Sequence, residues 1–189
     1  MTRSDDLYSL SKNLPIPVDD GACDHLPGVF LPSIILPATD GSLVDLAALS
    51  GTTVVFIYPR TGLPDVDSPP GWDEIAGLRG CTPQACGYRD SYEQFQALGV
   101  RVFGLSSQDS DYQREMAERL HLPFPVLSDA ELRFAHALKL PTVAIAGMIV
   151  IQRLTLVIAD GVIRKVFYPV FPPDKNAETV LRWLLTNRP

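Results

Sequence analysis

The chain has 189 residues, 46% of them hydrophobic and 20% charged, the make-up of an ordinary globular domain with room for one sizeable core. Its formal net charge is −6 and no block of Lys and Arg occurs, which argues against a phosphate-binding face and against nucleic-acid partners. The longest apolar runs, such as AIAGMIVI, are far too short to cross a bilayer, so no membrane partner is expected, and three cysteines are too few for a disulfide scaffold.

The opening MTRSDDLYSLSKNLPIPVDD is polar and acidic and lacks the apolar core of a secretion signal. A cytoplasmic protein is expected, with residues 1–25 as a loosely packed lead-in and 26–189 as a single domain. The stretch VFLPSIILPATDGSLVDLAAL places an Asp-Gly pair between two apolar runs, a hairpin signal. TTVVFIYP (52–59) is β-branched and apolar throughout, as a buried central strand should be. Residues 60–80 are rich in Gly, Pro and Asp and read as a long loop, the bulk of it at about 62–79; long loops in compact domains are functional or disordered.

A helix is expected from Thr82 to Leu98, with Pro83 in its first turn, where a missing N–H costs nothing. VRVFGLSS (100–107) reads as a strand, SDYQREMAERLHL (110–122) and DAELRFAHAL (129–138) as helices. MIVIQRLTLVIADGVIRKVFYPV reads as two strands around Asp160-Gly161, and NAETVLRWLLTN as a closing helix. Strands alternating with helices imply an α/β protein with a central sheet between helical layers.

Two cysteines, Cys81 and Cys86, stand five apart in RGCTPQACGYRD. Cys81 falls at or just before a helix start, where unpaired N–H groups and the dipole favour an anion and therefore thiolate over thiol. Cys86 lies more than one turn inside, which makes Cys81 the better nucleophile. In an intact helix, residues i and i+5 have Cα atoms roughly 8.6 Å apart, beyond the roughly 7 Å a disulfide tolerates. The two can join only if the first turns unwind. That spacing suits two-stage chemistry: Cys81 is oxidised by a peroxide to a sulfenic acid, and Cys86 then condenses with it.

The pattern FIYPR…GCTPQACGYRD resembles the peroxiredoxins, specifically the Q-type group also called bacterioferritin comigratory protein. The matching residues are Tyr58-Pro59, Gly80-Cys81-Thr82, Cys86 and Tyr88-Arg89-Asp90, and VFGLSSQD, HLPFPVLSDAEL and RLTLVIADGVIRKVF extend the resemblance over roughly residues 27–186. It implies a thioredoxin-like three-layer sandwich: a central mixed β-sheet flanked by helices, with an N-terminal β-hairpin and, in this chain, an inserted loop before the active-site helix. It implies Cys81 as peroxidatic and Cys86 as resolving cysteine. It further implies Arg153 as the arginine that holds the thiolate and polarises the peroxide, and Pro59 as a shield against bulk water. The implied partners are a peroxide substrate and thioredoxin or glutaredoxin as reductant, for a monomer or homodimer; no metal, flavin or nucleotide cofactor is implied.

The chain departs from the family at two places. The family's Thr or Ser three before the reactive cysteine is Leu78 here, and Thr61 is expected to return near Cys81 in its place if the loop between Thr61 and Arg79 bulges outward. The family's Glu three after that cysteine is Gln84. Two other readings stay open: a thioredoxin-fold disulfide reductase, against which the missing Cys-x-x-Cys counts, and a redox sensor that changes partners when the Cys81–Cys86 bond forms. Cys23 has no such context and reads as a bystander. His25, His121 and His136 are not expected in catalysis, and Cys23, His25, Cys81 and Cys86 lack the usual zinc spacing.

Overall fold

The structure, a computed structural model, describes Tyr8, Leu10 and residues 12–187. The remainder of the lead-in expected at 1–25 lies outside the described residues. The first hairpin pairs β1 (Ile35–Pro37) with β2 (Leu43–Asp45), antiparallel. Its turn is tied by the Asp40 carboxylate, which accepts from the Ser42 N–H at 3.0 Å and from the Ser42 hydroxyl at 2.6 Å.

The central strand expected at 52–59 is β3 (Thr52–Ile57). It pairs in parallel with β4 (Arg101–Ser106), which pairs in parallel with β5 (Val126–Ser128). On its other side β3 runs antiparallel to β8 (Leu154–Ala159), which pairs with β9 (Val162–Phe167). The sheet order is therefore β5-β4-β3-β8-β9, a mixed sheet of the expected kind. The β8–β9 turn is Asp160-Gly161, both at positive φ (48° and 75°), the backbone a tight two-residue hairpin requires.

Alternation along β3 assigns its two faces. Val54 and Phe56, with Tyr58 beyond the strand end, pack on one side with residues of α1 (Cys81–Asp90), α2 (Tyr92–Ala97), α3 (Ser110–Arg119) and α5 (Asn176–Thr186). Val55 and Ile57 face the other side, with α4 (Arg133–Leu138) and the segment from Cys23 to Leu46. The result is a three-layer arrangement. Close approach is built in at Gly104, where a Cβ would fall 2.9 Å from the Phe56 ring.

Several elements differ from the expected ones. The helix expected through Leu98 breaks at Ser91, whose φ and ψ of −99° and 2° leave the helical range at a residue type that favours helix ends. The helix expected from 129 starts at Arg133, because buried Asp129 caps it, accepting from Phe134 N–H at 3.0 Å and Ala135 N–H at 2.8 Å. The strand expected to run from Met148 to the Asp160-Gly161 turn splits at Gln152-Arg153, and its first part, β7 (Met148–Ile151), pairs with β6 (Thr142–Ile145) in a further hairpin. Its turn is Ala146-Gly147, with φ of 48° and 76°; an alanine at positive φ gives no turn signal in a sequence.

Candidate active site

Cys81 is the first residue of α1, and Gly80 before it has φ 100°. A Cβ at Gly80 would lie 2.4 Å from Pro173 Cγ and 2.8 Å from Leu10 Cδ2. Only glycine brings the chain into this helix start, both for its backbone angle and for the space it leaves. Pro83 has no N–H and Gln84 N–H donates to Gly80 C=O at 3.1 Å. The amides of Cys81 and Thr82 have no acceptor among the described residues, as at any helix start.

Arg153 lies in the two-residue link between β7 and β8 rather than within a strand, and is 3% exposed. Its Nη2 donates to Cys81 Sγ at 3.2 Å and to the carbonyls of Leu78 and Arg79 at 3.1 Å each. Its Nε donates to Gly77 C=O at 3.2 Å and its Nη1 to Gln84 Oε1. No carboxylate pairs with it among the described residues. A buried guanidinium cannot shed its proton and is costly without an opposite charge. Of the groups that Arg153 donates to, the Cys81 sulfur is the one ionisable group.

Behind this pair stands a second row. Gln84 Nε2 donates to Asn176 Oδ1 at 3.0 Å, which also accepts from Tyr88 OH at 2.7 Å and Thr155 OH at 2.8 Å. Gln84, where the family has Glu, is neutral, so it orients Arg153 without cancelling its charge. Burial pushes the Tyr88 and Tyr58 phenols up, so both remain proton donors. Asn176 opens the last helix and carries no sequence signal for the site; only the fold brings it here.

In front of Cys81 lies a cavity of about 480 Å³. Thr61, Cys81 and Thr82 line it together with Leu63, Val66 and Trp72 of the inserted loop. Thr61 and Cys81 thus border one cavity, on which the loop also lies. The Thr61 hydroxyl donates to Gly62 C=O at 3.2 Å. At Leu78, where the family has a hydroxyl, the chain offers its backbone carbonyl, which accepts from Cys81 Sγ at 3.6 Å. The loop does not hang free: Trp72 and Leu78 are buried against Ile145 and Val150 of the β6–β7 hairpin. Pro59 is buried directly before Arg60 and Thr61 but does not line the cavity. Nor does Arg153, which lines two smaller pockets instead.

Cys86 is a free, half-buried thiol inside α1, and Cys81 is also unbonded. Burial raises the Cys86 thiol; Arg89 lowers it and Asp90 raises it. Arg89 pairs with Asp90 at 2.8 Å and donates to Leu120 C=O, away from the cavity. Cys23 is 5% exposed and pushed up to about 12 by burial and by Asp20, Asp19 and Asp24. No group of side chains suited to hold a metal occurs among the described residues.

The Redoxin family matches residues 26–181. The chloroplastic peroxiredoxin Q of Suaeda salsa is 30% identical over 158 residues, covering 83% of this chain and 66% of that protein, so this chain spans just under two thirds of that relative's length. The chloroplastic peroxiredoxin Q of Populus jackii is 29% identical, covering 94% of this chain and 78% of that one. Among solved structures, peroxidoxin BcpB from Mycobacterium tuberculosis superimposes with a TM-score of 0.70 at 26% identity, over 87% of this chain and 100% of its own. The ordered motif around Cys81, the mixed sheet that carries it and these likenesses agree: the chain belongs to the redoxin family, as a peroxiredoxin of the Q-type, or bacterioferritin comigratory protein, group.

Proposed function

We propose that this protein is a thiol-dependent peroxidase in which Cys81 reduces a peroxide and Cys86 resolves the product within the same chain. The observation that carries the reading is the Cys81 sulfur itself. It stands at a helix start, 3.2 Å from a buried arginine that no carboxylate neutralises among the described residues, on the wall of a cavity it shares with Thr61.

The Cys81 thiolate attacks the distal oxygen of a hydroperoxide. The O–O bond breaks, the sulfur takes the oxygen to become a sulfenic acid, and the departing alkoxide or hydroxide takes a proton. Arg153 holds the thiolate through its Nη2. The free amides of Cys81 and Thr82, with the Thr61 hydroxyl, face the oxygens from the cavity side, where negative charge develops. Pro59, buried directly before Arg60 and Thr61, helps to keep bulk water from the thiolate. The Cys86 thiol then displaces water from the sulfenic acid, giving the Cys81–Cys86 disulfide after the first turns of α1 unwind. A dithiol protein of thioredoxin or glutaredoxin type restores both thiols by exchange, as a reducing compartment such as the cytoplasm would allow. Resolution within one chain asks nothing of a second subunit. The cavity far exceeds the volume of hydrogen peroxide, and its apolar lining by Leu63, Val66 and Trp72 supports small organic hydroperoxides as substrates alongside it.

The test is catalytic consumption of hydrogen peroxide and an organic hydroperoxide in the presence of a dithiol. Turnover that disappears in Cys81→Ser and falls at least tenfold in Thr61→Val supports the assignment. A wild-type protein that reacts no faster than free cysteine rejects it.

A further inference from the structure

Nineteen residues separate Thr61 from Cys81, so no helical turn sets the distance from hydroxyl to sulfur. Thr61 is nevertheless 0% exposed, and the group that holds it is Gln108. Gln108 Oε1 accepts from Thr61 N–H at 2.8 Å, and Gln108 Nε2 donates to Thr61 C=O at 3.2 Å. A backbone N–H needs an acceptor and a carbonyl needs a donor, so one orientation of the amide satisfies both at once. The side chain imitates a neighbouring strand for one residue.

Gln108 is itself held from several sides. Its N–H donates to Ser106 Oγ at 3.2 Å, and its carbonyl accepts from Ser128 OH at 2.7 Å and from Gln113 Nε2 at 2.8 Å. Gln113 Oε1 in turn accepts from Tyr58 OH at 2.5 Å. Tyr58 follows β3, Ser106 ends β4 and Ser128 ends β5, so the clamp is referenced to the ends of successive strands. Gln108 does not line the cavity and has no contact with a reacting atom.

We propose that Gln108 is a positioning residue for peroxide reduction: its side-chain amide sets Thr61, and through Thr61 the peroxide, against Cys81, in place of the short sequence spacing that the inserted loop removes. This rests on the peroxidase reading above. An alignment error of about an ångström at a reacting pair can cost on the order of 100-fold in rate.

The experiment compares Gln108→Met, which keeps length and loses both bonds, with Gln108→Glu, which keeps an acceptor for the Thr61 N–H and turns a carboxylate toward its carbonyl. Three quantities are read: the second-order rate of Cys81 oxidation by hydrogen peroxide, the rate of Cys81 alkylation by iodoacetamide, and hydrogen exchange at the Thr61 amide by NMR. The expected result is a roughly 10- to 100-fold slower oxidation in both variants, alkylation within about twofold of wild type, and faster exchange at Thr61. Thr61→Val with Gln108→Met should be no slower than Thr61→Val alone. Wild-type oxidation rates, equal losses in alkylation and oxidation, or additive losses in the double variant overturn the proposal. Should the wild-type protein fail to react with peroxide, the peroxidase reading falls, and exchange at Thr61 decides the clamp alone: unchanged protection in Gln108→Met overturns it.

Discussion

Replacing Arg153 probes both the loop and the sulfur. Arg153→Met keeps the apolar stem and removes the bonds that Arg153 donates to Gly77, Leu78, Arg79, Gln84 and Cys81. Leu78 and Gln84 are buried, and each acceptor left unpaired there costs about 1–3 kcal/mol. Relief from burying a charge offsets part of this, so a net loss of about 2–4 kcal/mol is expected, a fall of roughly 5–15 °C in Tm for a chain of this size. A unit charge 3.2 Å from the sulfur is worth about 5 kcal/mol at an effective dielectric near 20. Solvent entering the space would recover some of that, leaving an oxidation rate about 100- to 1,000-fold lower. Arg153→Lys restores the charge as a compact point without the planar fork; it should recover part of the rate and less of the stability. The assay is stopped-flow oxidation by hydrogen peroxide alongside thermal unfolding of reduced protein. An undiminished oxidation rate in folded Arg153→Met would refute the role given to the guanidinium, and full recovery of both quantities in Arg153→Lys would refute the role given to its geometry.

Gly80→Ala should destabilise the protein by about 2 kcal/mol or more and slow peroxide reduction, because it meets both an unfavourable φ and a collision with Pro173; thermal melts and oxidation kinetics check it. Stability should fall above about pH 8.5, by up to roughly 1.4 kcal/mol per pH unit for Cys23 alone. The folded thiol keeps its proton to about 12 while the unfolded one loses it from about pH 8.5, so the contribution is complete below that pH and fades as pH rises toward 12. Denaturant melts of Cys23→Ala at pH 7 and 9.5 should show a shallower loss than wild type. Disulfide formation after Cys81 oxidation should quicken as pH rises from 7 to 9, because burial holds the Cys86 thiol above its ordinary range and its thiolate is the attacking form. Asp90→Asn, which removes a neighbour that raises Cys86, should speed the same step in rapid-quench measurements.

Much of the frame could be read from residue types, because the signals were local. Unbroken β-branched runs marked β3, Asp-Gly pairs marked two of the hairpins, and Pro83 after Cys81 marked a helix start with a thiol on it. The same kind of signal failed for the β6–β7 hairpin, whose Ala146-Gly147 turn relies on an alanine at positive φ. It also failed at Asp129, where an acidic residue that could have opened a helix instead caps one from outside it. At the site, Cys81 and Arg153 could be named because each sits in a recognisable motif, and Thr61 because a hydroxyl was missing at position 78. Gln108 and Asn176 could not. Each acts through one side-chain amide on a residue distant in sequence, 47 positions away for Gln108 and Thr61, and only the folded sheet brings those partners together. The inserted loop read as Gly- and Pro-rich coil; that Trp72 and Leu78 anchor it on a hairpin depends on an element the sequence itself conceals.

The most direct measurement is disulfide mapping of reduced protein within seconds of adding one equivalent of hydrogen peroxide, by intact mass and peptide analysis. The expected result is a rapid Cys81–Cys86 bond, absent in Cys81→Ser and replaced in Cys86→Ser by a sulfenic acid trapped on Cys81. Two thiols that stay reduced, or a bond that forms through Cys23, would contradict the two-cysteine mechanism built on this helix start.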